Sequence, residues 1–158
     1  MKFILLSVLG TCCIAAASPT LTPQNAQLYG TAIFDELCVT MKIDDDRINC
    51  SNIQPPITIL SKLVDWVDVN GRVLGVFVWD EPYVFISTTS KNIQSTMRHE
   101  IAHYIRWYSG ASGPNVCVEE RTVRSYAGQP WDDVERAKYN CSTDDIPIPR
   151  VTLKIGEM

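Results

Sequence analysis

Residues 93–108 read Ile93-Gln94-Ser95-Thr96-Met97-Arg98-His99-Glu100-Ile101-Ala102-His103-Tyr104-Ile105-Arg106-Trp107-Tyr108. How this stretch winds decides the fold. At about 100° per residue, Ile93, Met97, Ile101, Tyr104, Ile105 and Tyr108 collect in a sector of about 120°. The spacing predicts one amphipathic helix over roughly 91–108, capped by Ser90 or Asn92. His99 and His103 fall near about 240° and 280° on the same wheel, almost opposite the apolar stripe. Such a helix buries one face against a sheet and turns both histidines toward a cleft.

Two histidines at i and i+4 can bind one zinc ion through their imidazole nitrogens. Glu100 stands about 100° around from His99, able to reach a metal-bound water without ligating the metal. His99 and His103 are also the only histidines in the chain. The bland alternative is a solvated helix with incidental histidines. Rarity and helical phase together outweigh it. A catalytic zinc needs a third protein ligand and an open position. With no third histidine, that ligand must be a carboxylate or a cysteine. Glu120 and its neighbour Glu119 lie on the next predicted helix, about 117–127, beyond a loop containing Ser109, Gly110, Ser112, Gly113 and Pro114.

Working outward, Val64, Trp66 and Val69 lead to Asn70-Gly71, and 73–79 follows, the pattern of a hairpin. Asp80-Glu81-Pro82 marks a turn and 83–87 a third strand. Upstream, Thr22 and Pro23 suit the start of a helix whose stripe is Ala26, Tyr29, Ile33, Leu37 and Met41. Residues 42–56 break that pattern, and Asp44-Asp45-Asp46 reads as solvated loop because it lacks the alternating ligands of a calcium loop. A further helix starts near Trp131 with Asp132 and Asp133 in its first turn. Arg150 to Ile155 alternates like a terminal strand. The order predicts an α+β domain with a small antiparallel or mixed sheet packed on the histidine helix.

Lys2, the apolar run Phe3 to Leu9 and Ala15-Ala16-Ala17 together resemble a secretory signal peptide over residues 1–17. Residues 18–158 are then one mature domain starting at Ser18. Without Lys2 it carries 13 basic and 18 acidic residues and no basic cluster. That argues against nucleic acid as a partner, and no later segment suggests a membrane span. Cys12 and Cys13 leave with the leader. Cys38, Cys50, Cys117 and Cys141 remain, an even count that predicts two disulfides in an exported protein. Proximity favours Cys38–Cys50 and Cys117–Cys141. Asn49 and Asn140 begin N-x-S sequons, expected at the surface.

His99-Glu100-Ile101-Ala102-His103 followed by a helical glutamate resembles the gluzincin group of zinc metallopeptidases. In several of its branches the third ligand opens a motif E-x-x-A-D-x-F-A. Here Glu120-Arg121-Thr122-Val123-Arg124-Ser125-Tyr126-Ala127 matches at Glu120, Tyr126 and Ala127 and approximately at Val123. The resemblance spans roughly 73–127. It implies a zincin-like fold, His99, His103 and Glu120 as zinc ligands with Glu119 the substitute, and hydrolysis of peptide bonds by a zinc-bound water with Glu100 as general base. It also implies that the strand at 83–87 is an edge that pairs with a peptide or protein substrate.

Arg124 departs from the pattern, standing where those families place an aspartate that orients a metal-binding histidine. Asp132, Asp133 or a backbone carbonyl would have to serve instead. The oxyanion donor would come from Arg124, Tyr126, Tyr104 or Tyr139. The expected protein is a secreted, extracellular, monomeric enzyme. The competing reading is a secreted zinc-binding protein that acts by binding a partner. An intact Glu100 argues against it, since a structural zinc site needs no base.

Overall fold

The protein was analysed as a computed structural model, which describes residues 21–62, 67–68, 71–72 and 74–142. The expected leader (1–17) and terminal strand (150–155) lie outside the described residues. The elements run α1 (Ala26–Asp44), β1 (Ile57–Ser61), β2 (Val67–Asp68), β3 (Gly71–Arg72), β4 (Gly75–Phe77), β5 (Tyr83–Ser87), α2 (Ile93–Tyr108), α3 (Val116–Ala127) and α4 (Asp133–Lys138). The architecture is α+β, as the order of helix, strands and then helices along the chain predicts.

Helix α1 starts three residues later than the Thr22-Pro23 signal suggests. The Thr22 amide donates to Asn25 Oδ1 (2.6 Å) and the Asn25 amide donates to the Thr22 carbonyl (3.2 Å), so residues 22–25 form a turn instead. From Ala26 onward the expected stripe holds, with Ala26, Ile33, Leu37 and Met41 buried and Phe34 beside them. Gly30 belongs to the same face. A Cβ there would overlap the side chain of Thr58, so glycine lets α1 lie directly on β1. The Gln27 side chain completes that junction, donating to the Pro56 carbonyl (3.0 Å) and accepting from the Thr58 amide (2.9 Å).

Three strands form a mixed sheet in the order β1-β5-β4, with β1 parallel and β4 antiparallel to β5. Two expectations change here. Ile57–Ser61 is a strand that the sequence reading passed over. Tyr83–Ser87 is the central strand, paired on both sides from Tyr83↔Ile57 to Ser87↔Ser61 and from Val84↔Phe77 to Ile86↔Gly75, so it is not an edge. The edge is β4. The short hairpin β2–β3 pairs Val67 with Arg72 and Asp68 with Gly71, which puts Gly71 in the ladder rather than in the turn.

The core lies between sheet and helices. Leu60, Phe77, Val84 and Ile86 meet Met97, Ile101, Tyr104 and Ile105 of α2, with Phe34, Leu37 and Met41 of α1 closing the other side. Each such side chain contributes about 1.5–3 kcal/mol by leaving water. Four of the six residues in the predicted stripe of α2 are buried; Ile93 is half-buried and Tyr108 exposed at the helix end.

Helix α2 begins at Asn92, whose side chain accepts from the Ser95 amide (3.0 Å). Helix α3 begins at Asn115, which accepts from the amides of Cys117 and Val118, and ends at Gly128 with φ 64°. Both expected disulfides form. Cys38–Cys50 ties α1 to the following turn, and Cys117–Cys141 ties the start of α3 to the end of α4. The acid triplet is only partly solvated: Asp44 accepts from the Tyr126 hydroxyl (2.9 Å), and Asp45 is bonded to Arg47. Asn49 and Asn140 are exposed.

Candidate metal centre

One turn of α2 and the first half of α3 face each other across the cleft. His99 and His103, stacked by the i, i+4 spacing, bring their Nε2 atoms to 3.2 Å. Glu120 reaches across from α3. One of its oxygens lies 3.1 Å from His103 Nε2 and the other 3.5 Å from His99 Nε2. A tetrahedral ion with bonds of about 2.0–2.1 Å holds its ligand atoms about 3.3 Å apart. The three separations fit that spacing. Glu120 Oε2 is buried with no hydrogen-bond partner, a cost that a cation at the focus would remove. These three residues could hold a metal ion.

Glu119 is turned elsewhere, because neighbouring residues on a helix diverge by about 100°. Its carboxylate accepts from Arg106 Nε (2.9 and 3.0 Å) and from an Arg106 terminal nitrogen (2.9 Å). The Ser112 hydroxyl adds a bond at 3.0 Å. The same carboxylate lies 3.8 Å from His103 Nδ1, the ring nitrogen facing away from the focus. Glu119 is thus placed to orient His103 from behind rather than to join the ligand set. Arg106 is buried, and its second anchor is the Ala111 carbonyl (2.8 Å).

The charges of the site follow from these contacts. Burial works against a charged His103, but Glu119 and Glu120 outweigh it and push the imidazole up to about 9. Burial, then the neighbouring His103, pushes His99 down to about 4. Burial would also raise Glu119, yet the His103 ring and the Arg106 guanidinium hold it down at about 2, and Glu120 is lowered in the same way by His103. The metal-free site therefore carries one proton on His103 between two carboxylates.

Glu100 stands beside this cluster with its carboxyl pushed up to about 7, chiefly by burial. Its side chain lies against the edge strand β4. A Cβ on Gly75 would stand 2.6 Å from both Cγ and Oε1 of Glu100, and the Phe77 backbone N–H favours its charged form. Glu100, His103, Glu119 and Glu120 line a cleft of about 680 Å³ together with Gly75 and Phe77.

Other residues singled out from the sequence go elsewhere. Tyr104 donates to the Gln54 carbonyl (2.8 Å) and Tyr126 to Asp44, so neither hydroxyl faces the cluster. Asp132 caps α4, and Asp133 pairs with Arg136. Arg124 does approach: its Nε is 3.8 Å from Glu120 Oε2 while another nitrogen pairs with Glu135 at 2.8 Å. Tyr139 also neighbours Glu120, and burial, then that carboxylate, pushes its hydroxyl up to about 12. Arg106 and Gly75 were not identified as site residues from the sequence. Two successive glutamates on one helix were the available signal for Arg106, because only one can face the ion and the other, once buried, needs a cation.

No helix among the described residues is long and apolar enough to cross a membrane. Two disulfides fit an oxidising compartment. Comparison with protein-family models, with curated proteins and with solved structures found no significant match.

Proposed function

We propose that this chain is a secreted zinc-dependent peptidase of the gluzincin kind, built on a zincin-like arrangement of sheet and helices. The observation that carries the reading is the convergence of two imidazole nitrogens and the two oxygens of one carboxylate at separations a zinc site would use, with the Glu100 carboxyl beside them in an open cleft. A structural site would close its fourth position with another protein ligand. Among the described residues none does so.

His99, His103 and Glu120 would hold the zinc. Bound there, it would supply Lewis acidity, polarising a carbonyl and making water acidic near neutral pH. Glu100, whose carboxyl sits near 7, accepts a proton from the attacking water and returns it to the leaving amine as the C–N bond breaks. The Glu119 carboxylate stands behind the His103 ring, 3.8 Å from Nδ1, and Arg106 holds Glu119 there. The edge strand β4, rather than β5, offers backbone groups to an extended peptide.

The test starts from the mature chain made in an oxidising compartment, with zinc measured by elemental analysis. About one zinc per chain is expected, lost in Glu120→Ala and in His99→Ala/His103→Ala. Peptide hydrolysis should vanish in Glu100→Gln while zinc stays. A folded wild type that takes up no zinc overturns the reading. Full zinc with no hydrolysis of any peptide in a broad library leaves the non-catalytic zinc protein.

A further inference from the structure

One wall of the cleft is unusually aromatic for a surface. Trp79, just beyond β4, and Trp107, on the last turn of α2, meet edge to face with centroids 4.6 Å apart. Both line the cleft, along with Val76 and Val116. They remain 61% and 40% exposed, so their outer faces are bare to solvent despite that contact. Large apolar surface left open beside a polar cluster marks a binding face.

The edge strand fixes how a ligand would run along this wall. The Ser87 amide donates to the Leu74 carbonyl (2.8 Å) and the Val78 amide to the Tyr83 carbonyl (3.1 Å). In an antiparallel ladder such bonded positions alternate. Leu74, Val76 and Val78 therefore turn their backbone groups to β5, and Gly75 and Phe77 turn theirs outward, the Phe77 N–H toward Glu100. Gly75 lies against Glu100, so a chain added along β4 has its backbone near the reactive cluster at one end. At its other end β4 stops at Phe77 and the chain turns at Trp79, so the added chain meets the indole pair where the strand ends. Among the described residues lining the cleft there is no lysine or arginine to hold a terminal carboxylate.

We infer that Trp79 and Trp107 form a specificity wall, selecting extended peptides that place a bulky apolar or aromatic side chain against the indole pair while an internal peptide bond lies beside Glu100. The inference rests on the peptidase reading for its substrate class. It differs in locating selectivity on two named side chains outside the metal cluster.

The test uses binding, so it does not depend on turnover. The zinc-loaded Glu100→Gln chain is titrated with N-acetylated, C-amidated peptides of alanine and serine, about eight residues long, in which one phenylalanine is moved through the interior positions. Binding is read by isothermal titration calorimetry. At the best position phenylalanine should bind about tenfold more tightly than the all-alanine/serine parent. That preference should fall below about threefold when Trp79→Ser or Trp107→Leu is added. Zinc content and thermal unfolding serve as controls for folding, and Trp79→Ser alters a mostly exposed side chain. Equal binding of all peptides, or a preference that survives both substitutions, overturns the wall. Loss of zinc or of hydrolysis in the parent enzyme instead overturns the peptidase reading, and the two failures are read from different measurements.

Discussion

Gly75 lies directly beneath Glu100, so close that a methyl group at Gly75 would stand 2.6 Å from the Glu100 carboxylate oxygen Oε1. Glycine here serves close approach rather than an unusual backbone angle. Gly75→Ala should push the carboxyl away from its place beside the cluster while leaving the three metal-binding side chains alone. Misplacing a proton-transfer group by about 1 Å costs on the order of 10²-fold in rate. The expected outcome is a fall of that order in kcat for peptide hydrolysis with zinc content unchanged. An active Gly75→Ala enzyme would show that the contact with Gly75 does not fix the position of the Glu100 carboxyl.

Glu119 and Arg106 should behave as a coupled pair. Glu119→Ala leaves a buried guanidinium with the Ala111 carbonyl and, at 3.7 Å, the Asp45 carboxylate, and should cost about 3 kcal/mol of stability, the low end for a broken buried pair. The double variant Glu119→Ala/Arg106→Met should regain most of that loss, because no uncompensated charge stays buried. Both should bind zinc about 10–100-fold more weakly, since the His103 ring loses the carboxylate behind it. Denaturant melts and competitive zinc titration separate the two effects. Additive losses in the double variant would show the pair is uncoupled.

Zinc binding should release protons. In the metal-free site His103 is raised to about 9 and so is protonated at neutral pH, whereas His99, lowered to about 4, is already neutral. A metal needs both neutral, so loading at pH 7 should expel about one proton from His103, together with the part-occupied proton of Glu100, whose carboxyl is raised to about 7 beside the ion. Apparent affinity should climb about tenfold per pH unit between roughly 6 and 8 and level off above about 9. The metal-free chain should show the reverse trend. Stability from the raised His103 is complete below about 6.5 and is lost as pH rises toward about 9. Calorimetry in two buffers of different ionisation enthalpy counts the proton directly. An affinity that does not change with pH contradicts the His103 assignment.

The histidine helix was legible because three signals coincided: its apolar phase, the i, i+4 histidines and the asparagine cap. Strand β1 was not, for a physical reason. In Ile57-Thr58-Ile59-Leu60 the buried face carries Thr58 and Leu60, while Ile57 is 43% exposed, so the alternation of burial runs against that of hydrophobicity. The gluzincin resemblance implies an edge at 83–87, but β1 covers one side of that strand and β4 the other. The start of α1 misled similarly: Thr22-Pro23 has the local chemistry of a cap, but Asn25 captures the Thr22 amide first. Spacing alone leaves Glu119 and Glu120 equivalent. The three-dimensional position of Arg106 separates them, because it claims the carboxylate that does not face the histidines.

The two disulfides should differ in what they protect. Cys38 and Cys50 are 12 residues apart and Cys117 and Cys141 are 24 apart, so chain-entropy loss alone predicts about 3 and 3.5 kcal/mol of stabilisation. By stability the two are nearly equal. Their places in the fold are not. Cys38–Cys50 joins α1 to the next turn, away from the cluster. Cys117 sits one turn before Glu120 on α3, and Cys141 follows Tyr139, which neighbours Glu120. Arg124–Glu135, with Tyr139 beside Glu120, then remains to tie α3 to α4. Replacing Cys38 and Cys50 by alanine should lower the melting temperature and leave zinc affinity within about twofold. Replacing Cys117 and Cys141 should lower both, with zinc affinity falling about tenfold or more as Glu120 gains freedom. Equal zinc affinity in the two double variants would mean that α4 contributes nothing to holding Glu120.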